Sequence, residues 1–231
     1  MKPQLSGHIT TPSSSRLAEL MKGLLLPQMF MPVGWGVLRN FKEHALEMES
    51  IAPSEPLFFV MPPGSLLQVS DVFSIIHPGP EVELHHEVEF VVQIGNDGFP
   101  EKCGVGLDLT NRSAQRVAKS EGLPWTDAKA FPNSGPFSSM VQYDSSSFEI
   151  RLEVNGEIRQ IGNTANMVHN VNSLVNALHS RFAPEPGDLI FTGTPSGVGN
   201  VVPGDKLEAS LWKNKEKITS FIVEIHDFDD N

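Results

Sequence analysis

Residues 82–94 read Val82-Glu83-Leu84-His85-His86-Glu87-Val88-Glu89-Phe90-Val91-Val92-Gln93-Ile94, and their alternation predicts a β-strand. Successive strand side chains point to opposite faces, so Glu87 and Glu89 share one face while Val88 and Phe90 pack toward a core. Side chains two apart on a face lie about 7 Å from each other, near enough for carboxylates to converge on one point. Two like charges on a partly buried face must be solvated, protonated or neutralised by a cation. Oxygen-only ligands favour Mg²⁺, Mn²⁺ or Ca²⁺ over zinc. The competing reading is a solvent-facing edge whose charges discourage edge pairing. A zinc-protease helix is excluded, because the residue four beyond His86 is Phe90. His85 and His86 fit a supporting or structural place better than ligation.

Working outward, Gly104–Thr110 reads as a further strand, with Gly104 and Gly106 allowing close backbone approach. Asn111–Glu121 reads as a helix ended by Gly122 and Pro124. Upstream, Met29–Val37 suggests a buried strand or turn, and Asn40–Ser50 a helix with Asn40 as N-cap and Glu43 completing a capping box. Leu57–Met61 is a short strand bounded by prolines, and Arg16–Leu25 is helix-like. Downstream, Asn155-Gly156 between Phe148–Val154 and Glu157–Ile161 predicts a type I′ hairpin. Val168–Phe182 is an amphipathic helix, and Asp188–Thr192 and Lys206–Ile225 read as β. Few short helices beside many strands give an α+β, β-rich class.

The 231 residues suit one catalytic domain, with 1–30 as an N-terminal extension and 227–231 as a frayed acidic tail. Apolar residues at 39% and charged residues at 19% describe a globular chain. A net charge of −11 argues against nucleic acid and anionic membrane surfaces as partners. An anionic substrate would then need a locally positive site, which a bound metal supplies compactly. Cys103 is the single cysteine, so no intrachain disulfide forms; it reads as a buried spectator. The apolar stretch Leu24–Val37 is interrupted by Pro27, Pro32 and Gly34, so neither a membrane helix nor a secretory segment is expected, and the cytoplasm is the expected location.

Three further places carry candidate chemistry. His44 and Glu47 lie three apart on the expected helix and share a face, giving either an oriented general base or a plain surface pair. Lys129, within Pro124-Trp-Thr-Asp-Ala-Lys-Ala-Phe131, is either partly buried against an anion or an ordinary surface lysine. Thr192-Gly-Thr-Pro-Ser-Gly-Val-Gly199 lacks both phosphate-loop and dinucleotide patterns but makes a tight turn able to offer backbone N–H groups to a carboxylate.

Taken in order, Arg39-Asn-Phe-Lys-Glu-His44, Glu55-Pro56, His85-His-Glu-Val-Glu89, Leu107-Asp-Leu-Thr-Asn-Arg112, Gln115, Pro124-Trp125, Lys129, Val154-Asn-Gly-Glu157, Arg159-Gln160 and the 192–199 turn form a specific set. The chain resembles the fumarylacetoacetate hydrolase family from about Gly36 to Ile225, especially its small acylpyruvate hydrolase and oxaloacetate decarboxylase members. The resemblance implies a mixed β-roll of that family's C-terminal-domain type and a homodimer. It implies Glu87, Glu89 and Asp108 as ligands of Mg²⁺, Mn²⁺ or Ca²⁺. It further implies His44 and Glu47 as a water-activating dyad on a lid, Lys129 as a catalytic cation, and Arg39, Gln115 and Thr194 as substrate contacts. Leu38 and Phe41 replace a usual Gly and Tyr, Asn111 and Ser113 replace a usual Ala and Asp, and the segment between Ile94 and Asp108 is short. Ser113 in place of an acid is expected to free Arg112 from an ion pair.

These readings lead first to a metal-dependent hydrolase cleaving a C–C bond in a small 1,3-diketo acid of the acylpyruvate, fumarylpyruvate or fumarylacetoacetate type. The alternative is decarboxylation or keto–enol tautomerisation of oxaloacetate, which needs no attacking water. A non-catalytic keto-acid binding protein is the third.

Overall fold

The structure, a computed structural model, describes residues 31–228. The Arg16–Leu25 segment and most of the acidic tail lie outside them. In chain order the strands are β1 (Gly34–Val37), β2 (Phe58–Met61), β3 (Leu66–Val69), β4 (Val72–Ile76), β5 (Leu84–His86), β6 (Val88–Ile94), β7 (Pro100–Leu107), β8 (Thr110–Asn111), β9 (Gly135–Ser138) and β10 (Val141–Gln142). They continue with β11 (Glu149–Val154), β12 (Glu157–Asn163), β13 (Leu189–Phe191), β14 (Gly199–Val201), β15 (Lys206–Lys213) and β16 (Glu216–His226). Among the described residues the α-helices are α1 (Lys42–Glu47), α2 (Arg112–Glu121), α3 (Thr126–Lys129) and α4 (Val171–Arg181). The α+β, β-rich class is therefore what the molecule has.

Three sheets organise the unit that begins at Pro32. The largest runs β2-β1-β13-β6-β7-β9-β3 with β10 added beside β7; the second runs β12-β11-β15-β16-β4; the smallest is β14-β5-β8. All are mixed or antiparallel, with parallel pairs at β1–β13, β3–β9 and β16–β4. Even-numbered residues of β6, Val88, Phe90 and Val92, join Ile150, Leu152, Leu207 and Leu211 of the second sheet in one apolar cluster. Phe90 stacks on Phe148 with centroids 5.3 Å apart. Val91 instead packs with Met61, Phe137 and Phe191 on the opposite face. The alternation read in residues 82–94 thus decides which side of β6 is core.

The expected strand over 82–94 is two strands. β5 pairs with β8 and β14 in the small sheet, whereas β6 pairs with β7 and β13 in the large one. Glu87 sits at the crossing. The same interruption separates β7 from β8 and leaves Asp108 beside it, with Asp108 N–H donating to Glu87 O at 2.8 Å. Both turns of the later β ribbon use left-handed residues. Asn155 (φ 55°) and Gly156 (φ 80°) make the expected type I′ hairpin, and Asn214 and Lys215 close the β15–β16 hairpin in the same region.

Asn40 does not cap the first helix. That helix begins at Lys42 behind Phe41, which makes no side-chain cap, and no capping box forms. Asn40 is fully buried. Its amide donates to His169 O (2.9 Å) and Thr192 O (2.8 Å) and accepts from His169 N–H (2.7 Å). Three backbone groups of two residues remote from Asn40, His169 and Thr192, are satisfied by one side chain, an arrangement more demanding than a cap. Asn40→Ala removes all three bonds and leaves buried peptide groups unpaired, so stability should fall by about 3 kcal/mol. Urea unfolding of both proteins measures the loss, and a change below about 1 kcal/mol would show that water replaces the amide.

Candidate active site

Of the residues given a metal, catalytic or substrate role in the sequence analysis, all except Glu47 line one cavity of ≈ 330 Å³, and Glu47 touches it through His44. The floor is acidic. Glu87, Glu89 and Asp108 are buried and each offers an oxygen within 4.8 Å of the others. Burial rules out the solvent-facing edge for Glu87 and Glu89. Glu89 projects from β6 opposite Gly106 of β7. A Cβ at Gly106 would meet Phe191 and Val91 at 2.7 Å, so glycine here lets the large sheet close behind the carboxylates.

Cations hold this cluster together. Lys129 Nζ donates to Glu87 Oε2 (2.8 Å), Asp108 Oδ2 (2.5 Å) and Thr110 Oγ1 (2.6 Å), using all its donors. Lys129 is buried, and its ammonium lies 5.4 Å from the Phe59 ring centroid. Arg112 donates to Glu87 Oε1 (2.6 Å) and Gln115 Oε1 (2.7 Å). The loss of an acid at position 113 does not free Arg112, because Glu87 is its partner. Ser113 Oγ instead accepts from Glu83 N–H and donates to Glu81 O. The arginine stands at the start of α2, where Asn111 caps Ala114 N–H.

The three acids titrate in opposite senses. Burial pushes Glu87 up, but Lys129 and Arg112 outweigh it and hold the carboxyl near about 2. Burial, reinforced by repulsion from Asp108 and Glu87, raises Glu89 well above the usual range. Burial also lifts Asp108 to about 6, against the pull of Lys129. Desolvation alone would lower Lys129, yet Asp108 and Glu87 drive it upward. Asp108 Oδ1 is buried with no hydrogen-bond partner. An orphaned carboxylate oxygen among three convergent acids fits a hard divalent cation. Glu87, Glu89 and Asp108 would hold it.

The dyad forms on α1. His44 Nδ1 lies 3.2 Å from Glu47 Oε2, with the ring buried. With Nδ1–H directed at a carboxylate, Nε2 is the basic atom of a neutral ring. The other Glu47 oxygen accepts from Gly197 N–H at 3.0 Å. Gly193 N–H donates to Glu89 Oε2 at 2.8 Å. The glycine-rich turn therefore gives its N–H groups to the protein's own carboxylates. Gly197 has φ +95°, and a Cβ there would meet Arg159 O at 2.2 Å.

Thr194 is fixed by a residue the sequence reading left without a role. Gln160 Oε1 accepts from Val88 N–H (3.0 Å) and faces His86 Nδ1 (3.1 Å). Its Nε2 donates to Thr194 Oγ1 (2.8 Å) and Pro195 O (2.9 Å). Thr194 Oγ1 in turn donates to Val88 O at 2.9 Å. Its one proton is spent, so toward the cavity this hydroxyl only accepts. Burial lowers His86 first, and the neutral ring donates through Nδ1. His85 pairs with Glu83 at 2.7 Å. Neither histidine lines the cavity.

Arg39 lies at the cavity edge in a left-handed conformation (φ 55°) with Nη1 on Ser50 Oγ at 2.7 Å. Lys119 and Trp125 also face the cavity, and no sequence signal separated Lys119 from an ordinary helix lysine. Cys103 is buried away from the site, and burial pushes its thiol up to about 12, as suits a spectator.

On a mixed-sheet scaffold, one cavity brings together a buried acidic triad that could hold a cation, an imidazole and several cationic side chains. Residues 34–225 match the family model described as fumarylacetoacetate (FAA) hydrolase C-terminal. The chain belongs to this family. A mitochondrial oxaloacetate tautomerase of Oryza sativa subsp. japonica is 38% identical over 191 residues, 76% of this chain and 83% of that protein. A mitochondrial oxaloacetate decarboxylase of Dictyostelium discoideum is 37% identical over 188 residues, 75% of this chain and 85% of that protein. Among solved structures, fumarylpyruvate hydrolase from Pseudomonas aeruginosa, in complex with Mn²⁺ and pyruvate, superposes with a TM-score of 0.76 at 29% identity, over 85% of this chain and 91% of that one. Among the described residues no helix is long and apolar enough to cross a membrane.

Because Glu89 and Asp108 are raised, a cation must displace protons from them, and its affinity should climb with pH through the Asp108 value of about 6. Mn²⁺ calorimetry at several pH values should show this together with proton release. Glu89→Gln should weaken binding at least about tenfold. Affinity that is flat with pH and unchanged in the variant would remove the triad as the cation site.

Proposed function

We propose that the chain is a divalent-metal-dependent enzyme of enolate chemistry on small 2-oxo acids, with keto–enol tautomerisation of oxaloacetate as its principal reaction. The observation that carries this reading is the placement of His44, backed by Glu47, on the same cavity as the acidic triad and its cations. Proton transfer beside a carbonyl requires a base and a stabilised enolate, and no attacking water. The 36–38% identity to oxaloacetate tautomerases and decarboxylases adds support.

Mg²⁺ or Mn²⁺ is the cation we assign, and when bound it supplies Lewis-acid polarisation of the keto oxygen. His44 Nε2 takes a proton from C3 of the substrate. The C–H electron pair becomes the C2–C3 double bond, the carbonyl pair moves to O2, and O2 receives the proton. Glu47 steadies the imidazolium that forms between these transfers. Lys129 and Arg112 keep Glu87 ionised, and Arg39 stands at the cavity edge for a substrate carboxylate. Thr194 Oγ1 can accept from the enol hydroxyl but cannot donate to the enolate. A purely binding protein has less support, since it has no use for the His44–Glu47 pair.

Hydrolysis of an acylpyruvate is the second reading. Val37, Leu38, Met48, Phe59 and Trp125 give the cavity apolar walls suited to an acyl group that oxaloacetate lacks, and the same dyad would deprotonate water. We further propose a homodimer working in the cytoplasm, with neither nucleic acid nor membrane as partner.

Enol-to-keto conversion of oxaloacetate, followed by ultraviolet absorbance with Mg²⁺ or Mn²⁺ present, should slow about 10²- to 10⁴-fold in His44→Ala. Acetylpyruvate cleavage assayed beside it ranks the two readings. Wild-type tautomerisation by His44→Ala would end the proposed role of the base.

A further inference from the structure

Arg112, Gln115 and Lys119 occupy positions i, i+3 and i+7 of α2 and so share one helix face. All three line the cavity. The face runs from Arg112, engaged with Glu87 on the floor, to Lys119 about 10 Å further along the axis. Lys119 is exposed, so it marks the mouth. Its Nζ lies 5.3 Å from the centroid of the Trp125 ring, which also lines the cavity. That contact positions the ammonium beside another cavity-lining side chain without neutralising it.

Charge accounting separates Lys119 from Lys129 and Arg112. Lys129 and Arg112 are committed to floor carboxylates. Arg39 rests on the Ser50 hydroxyl. Lys119, like Arg39, enters no ion pair among the described residues, and of the two it stands on the helix face that carries Arg112 and Gln115. Partial burial, then Arg112, hold it below the ordinary lysine range against the opposing pull of Glu87, with Arg39 and Lys129 adding to the lowering. An ammonium kept near three other cations, in a chain of net charge −11, is placed against the general trend of the molecule. An anion arriving from solvent relieves that repulsion.

We propose that Lys119 is a specificity residue that binds a second carboxylate on the substrate, remote from the 2-oxo acid end, and selects dianionic over monoanionic 2-oxo acids. The inference rests on the proposed enolate chemistry for the identity of the other end. It assigns Lys119 no part in bond making, so substitution acts on KM and spares kcat.

The test compares oxaloacetate with its C4 monomethyl ester, which enolises but carries one charge fewer. Wild type, Lys119→Met and Lys119→Arg are assayed with Mg²⁺ present. Lys119→Met should raise KM for oxaloacetate about tenfold, leave kcat within about twofold, and leave the ester's KM unchanged. Lys119→Arg should retain most of the preference. Equal effects on both substrates, or none on either, would overturn the proposal. If the wild type turns over neither compound, the proposed function fails separately, and calorimetric binding of the same pair decides the role of Lys119. A wild-type preference for the dianion that Lys119→Met abolishes supports it, and equal binding refutes it.

Discussion

Three buried carboxylates each bring one oxygen within 4.8 Å of the others. Mutual repulsion at that spacing and burial would drive such a cluster apart or protonate it. Here it is held by covalent geometry on one side and cations on the other. Glu87 and Asp108 lie where the chain leaves one sheet for another, tied by the Asp108 N–H to Glu87 O bond. Glu89 is anchored one residue into β6. Lys129, on the short α3, and Arg112, opening α2, supply the compensating charge.

The glycine-rich turn joins the floor to the cover. Gly193 N–H fixes Glu89, Gly197 N–H fixes Glu47, and between them Thr194 is oriented by Gln160. One loop thereby sets a floor carboxylate, the partner of His44 and a polar group in the wall. Its conformation is determined by backbone sterics, since Arg159 O leaves no room for a side chain at Gly197. Asn40 fastens the chain entering α1 to the strand end entering this turn, through Thr192 O.

What the sequence disclosed follows from the range of the interactions involved. Alternation in residues 82–94 placed Phe90 and Glu89 on opposite faces, and Asn155-Gly156 specified its turn, because both depend on neighbours a few residues apart. The break at Glu87 was not legible, since it reflects two strands recruited by different sheets. Asn40 looked like a cap because local pattern favours that use; its partners, His169 and Thr192, are distant in sequence. The acidic pair was visible as a pair, whereas the place of Asp108 beside it came from family resemblance. Lys119 stayed hidden because one lysine on an amphipathic helix resembles any other until the cavity identifies its face.

The floor and the walls of the cavity come from different parts of the chain. The carboxylates belong to the junctions around β6 and β7, which are framed by buried backbone. Leu38, Met48 and Trp125 flank β1, α1 and α3, and Phe59 lies in β2. Exchanging a wall residue leaves the junction intact, so selectivity can drift by single substitutions while the reactive centre is inherited unchanged. A scaffold divided in this way is predisposed to diversify, with descendants sharing one chemical step and differing in the molecules they admit.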